Sequence, residues 1–176
     1  MAVEVECLGC RGLVPDVQGP RHAYMQASPG CWQVYTELAA GALTAPGAPD
    51  ARWHHVDCYA VQHPGGAQDD RRQRRSVAVH LVSLCLLHEF GQPPAQASAR
   101  RGQTSTRVLA RVGLQDWPYL PPPATLGAVT ARDVHATASG ERAVRMQEWA
   151  RSAWAAWSIH HDVVRSWAAV AWADPR

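Results

Sequence analysis

Four residues near the start of the chain have the types and spacing of zinc ligands: Cys7, Cys10, His22 and Cys31. A C-x2-C turn directs two thiolates at one tetrahedral ion, and nearby backbone can return a third and a fourth ligand. Cys31 falls in the first turn of a predicted helix, where unpaired N–H groups lower the pKa of a thiol. The spacing therefore predicts a Cys3His zinc site that fastens the N-terminal segment to the rest of the chain.

Other interpretations of the cysteines remain open. A single C-x2-C also occurs in redox pairs, and unrelated cysteines can simply be buried. Cys58 is an alternative fourth ligand, and Cys85, which lies among leucines, is typical of an inert core thiol. The chain has five cysteines, and its acidic start, MAVEVE, lacks the features of a signal peptide. We therefore expect a cytoplasmic protein, in which metal binding is favoured over disulfides.

A second group of polar residues is a candidate for catalysis. His80 interrupts an apolar helix, His160 falls on the apolar face of the last helix, and His63 precedes a Pro-Gly-Gly turn. With Asp57, these imidazoles would suit zinc or non-haem iron with an open position for water or substrate. Without a metal, His63 with Asp57 would act as a general base. Taken singly, each histidine is more often a core side chain that bonds a backbone carbonyl than a metal ligand, because an unpaired buried polar group costs about 1–3 kcal/mol.

The elements that must position these residues are mostly helices. Residues 1–28 are predicted to be irregular, and residues 92–104 are predicted to be a mobile polar loop. Ser28 and Pro29 are typical of a helix start, as are Asp69 and Asp70 at the positive end of a helix dipole and the pair Thr130 and Asp133. Caps, apolar periodicity and Gly/Pro breaks predict helices over 30–43, 70–90, 105–112, a short one from 131, and 141–172, with a helical or mixed segment over 53–62.

Two of these helices decide the predicted architecture. The segment 76–87 is apolar nearly all round, which predicts a central, buried helix. From 141 to 172 apolar residues recur with 3-4 spacing, which predicts a face packed against a partner helix. We therefore predict an all-α fold: a single helical domain over 1–176, built as a bundle of four to five helices, with the N-terminal segment pinned to it by zinc.

Composition excludes several classes of function. The formal net charge is only +2, so nucleic-acid binding is disfavoured, and no stretch reaches the length of a transmembrane helix. The basic run Arg71–Arg75 follows two aspartates and is typical of a solvated helix start, with binding of phosphate or an acidic ligand as the alternative. The chain contains no phosphate-loop, dinucleotide, serine-hydrolase or zincin motif.

Motifs spread over nearly the whole chain carry a family resemblance. They are CLGC, GPRHAY, SPGCW, VDCYAVQHPG, SVAVHL and the C-terminal WARSAWAAWSIHH. Together they resemble a family of small bacterial proteins, common in actinobacteria and known only as a domain of unknown function. The resemblance brings no established reaction. It implies that the family's signature positions are occupied by Cys7, Cys10, His22, Cys31, Asp57, His63 and His80.

These observations give two hypotheses of function. The first is a zinc-binding enzyme that acts on a small molecule, a biosynthetic role among the options, with a catalytic pocket formed by His63, His80, Asp57 and His160. The second is a non-catalytic, zinc-stabilised binding or adaptor module. It would dock a protein partner through the Trp-rich last helix, although tryptophan at helical spacing is more often a packing residue.

Overall fold

The computed structural model describes residues 3–44 and 54–173, and helices dominate this part of the chain. In chain order the elements are β1 (Glu4–Glu6), β2 (Leu13–Pro15), α1 (Pro29–Thr44), α2 (His55–Gln62), α3 (Arg71–His88), α4 (Pro94–Val112), α5 (Ala131–Ala136), α6 (Arg142–Ala156), a 3-10 turn (Ser158–His160) and α7 (His161–Trp172). The predicted all-α class is confirmed. The described residues form seven α-helices, where four or five were expected. Trp53, at which the second helix was expected to begin, lies outside the described residues.

The N-terminal segment is more regular than predicted. β1 and β2 pair antiparallel, with Val5 opposite Val14. The residues between the strands form a tight turn, in which the N–H of Cys7 donates to the carbonyl of Gly12 at 2.9 Å. The hydroxyl of Ser28 accepts the N–H of Leu8 at 3.1 Å, so the residue expected to cap α1 ties the CLGC turn to the start of that helix.

Helix α3 is the central element, as its apolar sequence predicts. It packs against α2, α4, α6 and α7, and most of its side chains from Ser76 to Leu86 are buried. The carboxylate of Asp70 caps its start by accepting the N–H groups of Arg72 and Gln73. None of the helices in the described part of the chain combines the length and the apolar character that crossing a bilayer requires.

Residues 92–104 were expected to be a loop, but the structure places most of them in α4. Pro94 occupies the first turn, where proline is tolerated, and Gly113 ends the helix in the left-handed conformation with φ of 69°. The buried residues of this helix are mainly small or hydroxylated: Ala97, Ser98, Thr104, Ser105 and Val108. Few large apolar residues lie on this face, which is why a search for bulky apolar residues at helical spacing did not indicate a helix over the whole of this segment.

The predicted last helix is divided in two. The N–H of Trp157 donates to the carbonyl of Trp154 at 3.0 Å, and the chain tightens into the 3-10 turn before α7 begins. Both parts pack on α3, but their other partners differ, since α6 also packs on α2 and α5, whereas α7 also packs on α4. The apolar face of the 3-4 pattern is nevertheless largely buried, including Trp157, Val164 and Trp167.

Candidate functional site

Three thiols and one imidazole converge in the core: Cys7, Cys10, Cys31 and His63. Their candidate ligand atoms all lie within 4.8 Å of one another, and all four side chains are buried. The Sγ atoms of Cys10 and Cys31 are 3.8 Å apart. The Nε2 atom of His63 lies 3.3 Å from Sγ of Cys31 and 3.6 Å from Sγ of Cys7.

These separations fit a tetrahedral ion of the size of zinc. With Zn–S bonds near 2.3 Å and Zn–N bonds near 2.0 Å, tetrahedral geometry places neighbouring sulfurs about 3.8 Å apart and sulfur and nitrogen about 3.5 Å apart. A disulfide would require an S–S distance of about 2.05 Å. The cluster therefore has both the donor types and the spacing of a Cys3His metal site.

The four candidate ligands are positioned by three different parts of the fold. Cys7 and Cys10 lie on the turn after β1, Cys31 lies in the first turn of α1, and His63 directly follows α2. Nδ1 of His63 donates to the carbonyl of Tyr59 at 2.7 Å, which leaves Nε2 as the coordinating atom. Gly9 passes so close to the His63 ring that a side chain at this position would collide with it.

Proximity changes the pKa values of these groups. Hydrogen bonds with Cys10 and Cys31 lower the pKa of the Cys7 thiol, while hydrogen bonds with Cys10 and Cys7, together with burial, raise the pKa of the Cys31 thiol. Burial lowers the pKa of His63, but hydrogen bonds and charge from Cys10 and Cys7 outweigh it and raise the pKa to about 9. Several groups in this cluster therefore compete for the same protons, and a bound cation would relieve that competition.

The imidazole of the cluster comes from His63 and not from His22, which corrects the predicted ligand set. His22 is only partly buried, and its Nδ1 accepts the N–H of Met25 at 3.2 Å. Its ring packs edge-on against Trp32. Cys58, the other candidate ligand, is buried outside the cluster, and burial raises the pKa of its thiol.

The predicted group of three histidines does not assemble. His63 belongs to the thiol cluster, and Nε2 of His160 donates to the carbonyl of Pro121 at 2.8 Å. The cluster of Cys7, Cys10, Cys31 and His63 is the one metal-sized group of ligands within residues 3–44 and 54–173. The three imidazoles expected to bind zinc or iron therefore do not share a site, and of the four predicted catalytic residues only Asp57 and His80 meet.

Asp57 is the centre of a second polar cluster. Its carboxylate is fully buried on the first turn of α2. Oδ1 accepts hydrogen bonds from Nδ1 of His80 at 2.7 Å and from Arg101 at 3.1 Å. Oδ2 accepts the hydroxyl of Ser83 at 2.9 Å and lies 3.8 Å from Nδ1 of His54.

This environment keeps Asp57 ionised. Burial raises its pKa, but the nearby imidazole of His54, the hydrogen bond from His80 and the charges of His80 and Arg101 outweigh it and hold the pKa well below the usual range. A charged carboxylate can only accept, so Nδ1 of His80 carries a proton and Nε2 holds the lone pair when the ring is neutral. The side chain of His80 is 15% exposed, whereas that of Asp57 is completely covered.

Three members of this cluster were not predicted. Arg101 lies in the segment expected to be a loop, and Ser83 is a small polar residue within an apolar helix that carries no distinctive motif. His54 precedes α2 and is buried, and both of its ring nitrogens lack a hydrogen-bond partner among the described residues. The spacing His54-x2-Asp57, which places both on one face of a helical turn, could have indicated the last of these.

The fold and the two clusters define a small helical protein with a candidate Cys3His metal centre. The chain belongs to a family of unknown function, DUF5946, whose model matches residues 5–158. The family resemblance expected from the motifs is thus confirmed, and the matched span contains both clusters. No curated protein and no solved structure matches the chain.

Proposed function

We propose that this chain is a zinc-stabilised enzyme that performs acid–base chemistry on a small molecule at His80. The observation that carries the proposal is the Asp57–His80 pair: a buried, ionised carboxylate lies 2.7 Å from Nδ1 of an imidazole that reaches the surface. A carboxylate in this position fixes the tautomer and the orientation of a catalytic histidine. Buried charge is costly, and its location beside a surface imidazole is typical of a functional site.

The zinc in this proposal is structural. Four protein ligands fill a tetrahedral shell and leave no position for water or substrate, and all four are buried. The ligands come from the hairpin turn, from α1 and from the end of α2, so one ion would join three elements that are otherwise linked by loops. Thiolates suit a reducing compartment, which supports a cytoplasmic protein.

Catalysis would use the side chains around Asp57. Nε2 of a neutral His80 takes a proton from a substrate or a water molecule, and the resulting imidazolium is stabilised by Asp57. Arg101 and Ser83 bond the two carboxylate oxygens and hold the carboxylate in one orientation. His80 then returns the proton to the leaving group.

The metal part of the proposal is tested by the zinc content of two matched histidine variants. His63→Ala removes a candidate ligand. His22→Ala removes an imidazole that lies outside the cluster, in the loop before α1. We expect about one zinc per chain in the wild type and in His22→Ala, and close to none in His63→Ala, by elemental analysis. Equal zinc in both variants would overturn the assignment.

The catalytic part is tested with activated aryl esters and aryl amides as general substrates. His80→Gln should reduce turnover by about 10²–10⁴-fold, the usual contribution of a general base, with zinc content unchanged. His135→Gln is the matched control, because His135 lies at the surface on α5, paired with Glu37. Turnover that does not depend on His80, or no turnover of any of these substrates, would argue against the proposal.

The adaptor hypothesis receives less support. The tryptophans expected to form its docking surface are core residues, with Trp149, Trp154, Trp157 and Trp167 all buried. Of the Trp-rich last segment only Trp172 remains partly exposed, and Arg100 lies over its ring. A docking function would therefore need a different surface.

A further inference from the structure

The arginine run at the start of α3 borders a cavity that neither cluster uses. Arg71, Arg72 and Arg75 line one side of it, and the cavity has a volume of about 420 Å³. This is within the usual range for small-molecule sites, about 300–1,000 Å³. The run Arg71–Arg75, expected to be a solvated helix start, therefore forms one wall of this cavity.

The opposite wall comes from α4 and from the loop that follows it. Ser105 and Thr106 contribute hydroxyls, and Leu109 and Trp117 contribute apolar surface. The indole N–H of Trp117 donates to Oγ of Ser105 at 3.0 Å, so the hydroxyl proton of Ser105 remains available to another acceptor. The cavity thus combines cationic groups, hydroxyl donors and an apolar surface.

The charges around the cavity are not balanced. Asp116 is the one acidic residue lining it, and it pairs with Arg71 at 3.1 Å and with Arg74 at 2.7 Å. Arg72 lies 3.9 Å from the capping carboxylate of Asp70, a separation that gives little at an exposed site. The guanidinium group of Arg75, within α3, makes no ion pair or hydrogen bond with another described residue. Three guanidinium groups therefore face one carboxylate, which leaves two positive charges in excess.

These guanidinium groups, and not the helix end, would bind an anion. The carboxylate of Asp70 already accepts the free N–H groups of Arg72 and Gln73 at the start of α3. Guanidinium presents paired donors that match the oxygens of phosphate. A phosphate monoester carries about −1.5 to −2 charges at pH 7, which balances the excess at this site.

We propose that this cavity binds a phosphorylated small molecule. Arg72 and Arg75 contact the phosphate, Thr106 donates its hydroxyl, and Leu109 and Trp117 contact the organic part. The site shares no residue with the zinc cluster or with the Asp57 cluster, so it stands or falls independently of the proposed function.

The test is calorimetric titration of the zinc-loaded full chain with phenyl phosphate, with phenol and inorganic phosphate as partial probes. We expect saturable binding of phenyl phosphate that weakens with salt, weaker binding of inorganic phosphate and none of phenol. Arg75→Gln should weaken binding by at least about 10-fold, the effect of losing about 1.4 kcal/mol from a charge-assisted contact. Thr106→Val should weaken it without any change of charge.

Arg151→Gln is the matched control, because Arg151 is an exposed arginine on α6, away from the cavity. It should bind phenyl phosphate like the wild type. Equal losses in Arg75→Gln and Arg151→Gln would mean unspecific charge attraction and would overturn the proposal. So would the absence of saturable binding, or wild-type affinity in both Arg75→Gln and Thr106→Val. All variants change exposed side chains, so their melting temperatures should match that of the wild type.

Discussion

The two polar clusters lie at opposite ends of α2 and differ in where their positive charge comes from. Asp57 in the first turn is neutralised by protein groups, with Arg101 at 3.1 Å and His80 at 2.7 Å. The thiols of Cys7, Cys10 and Cys31 have only His63 beside them. Once deprotonated, three thiolates need a cation that the protein does not supply. The first cluster is therefore complete as it stands, whereas the second is built for an added ion.

The largest expected effect on zinc content and melting temperature comes from removing one thiol of the Cys3His cluster, which leaves the Asp57 cluster unchanged. Cys31→Ala deletes one of the four candidate ligands and, if the proposed zinc is bound there, should abolish zinc binding and lower the melting temperature by about 10 °C, at 2–4 °C per kcal/mol for a chain of this size. Cys85→Ala deletes the same atom from a buried cysteine outside the cluster and should keep its zinc. Elemental analysis and thermal unfolding measure both. Zinc retained in Cys31→Ala would show that the cluster is not a metal site.

The next effect concerns the buried carboxylate. Asp57→Asn leaves Arg101 and His80 without their anion and should cost about 3–5 kcal/mol, because breaking a buried ion pair leaves a charge unpaired. Asp162→Asn, which breaks an exposed pair with Arg165, should leave the free energy of unfolding almost unchanged. Chemical denaturation gives both values. Zinc content should be unchanged in both variants, and zinc lost from Asp57→Asn would mean that the two clusters are one unit.

The pH dependence of that difference sharpens the comparison. Because the folded pKa of Asp57 lies below its unfolded value of 3.8, its contribution to stability is fully present above about pH 4 and is lost as pH falls through the lower folded pKa. The gap in unfolding free energy between wild type and Asp57→Asn should thus stay constant from pH 7 to about pH 4 and shrink below it. Protonation of the four cluster residues affects the unfolding free energy of wild type and Asp57→Asn alike, so it cancels in the difference between the two proteins. A gap that shrinks between pH 7 and pH 5 would contradict the low pKa.

The smallest expected effect is the loss of one neutral partner of Asp57. Ser83→Ala removes the hydroxyl that bonds Oδ2 at 2.9 Å and should cost about 1–2 kcal/mol, since a hydrogen bond to a charged group is involved. Ser166→Ala, which removes a hydroxyl from the exposed face of α7, should leave stability within about 0.5 kcal/mol. Denaturation midpoints measure both. A Ser83→Ala variant as stable as the wild type would show that the other donors suffice.

Local features of the chain were predictable where a short motif specified them. Asp70, and the pair Thr130 and Asp133, cap their helices as their spacing indicates, with the N–H of Thr130 donating to Asp133 at 2.7 Å. The C-x2-C turn and Cys31 at the start of α1 likewise follow from local rules. The all-α class followed from helical periodicity and from the apolar character of α3.

Long-range placement was not predictable in the same way. His22 and His63 both lie in signature motifs next to a Gly/Pro turn, and only the approach of the Gly9 turn to the end of α2 decides that His63 supplies the imidazole. Gly9 passes close to the His63 ring, which is the feature that would have indicated His63 as the ligand. The sequence alone does not show which side chain Gly9 approaches, so this indication can be used only when the fold is known. His160 was expected on an apolar face, but the 3-10 turn after Trp157 carries it to the carbonyl of Pro121.

Helix α2 spans only eight residues, or about 12 Å, and isolated helices of that length are marginal in water. Contacts with other parts of the chain stabilise it. Gln62 donates to the carbonyls of Leu126 and Val129 and accepts the indole N–H of Trp149. His63, which directly follows the helix, belongs to the thiol cluster. If His63 were released from the cluster, the whole of α2 would become less ordered, because a helix this short cannot unwind at one end only. Loss of the ion would then disturb Asp57 as well, so a chain depleted of metal should lose turnover that depends on His80, although none of the four cluster residues bonds to His80.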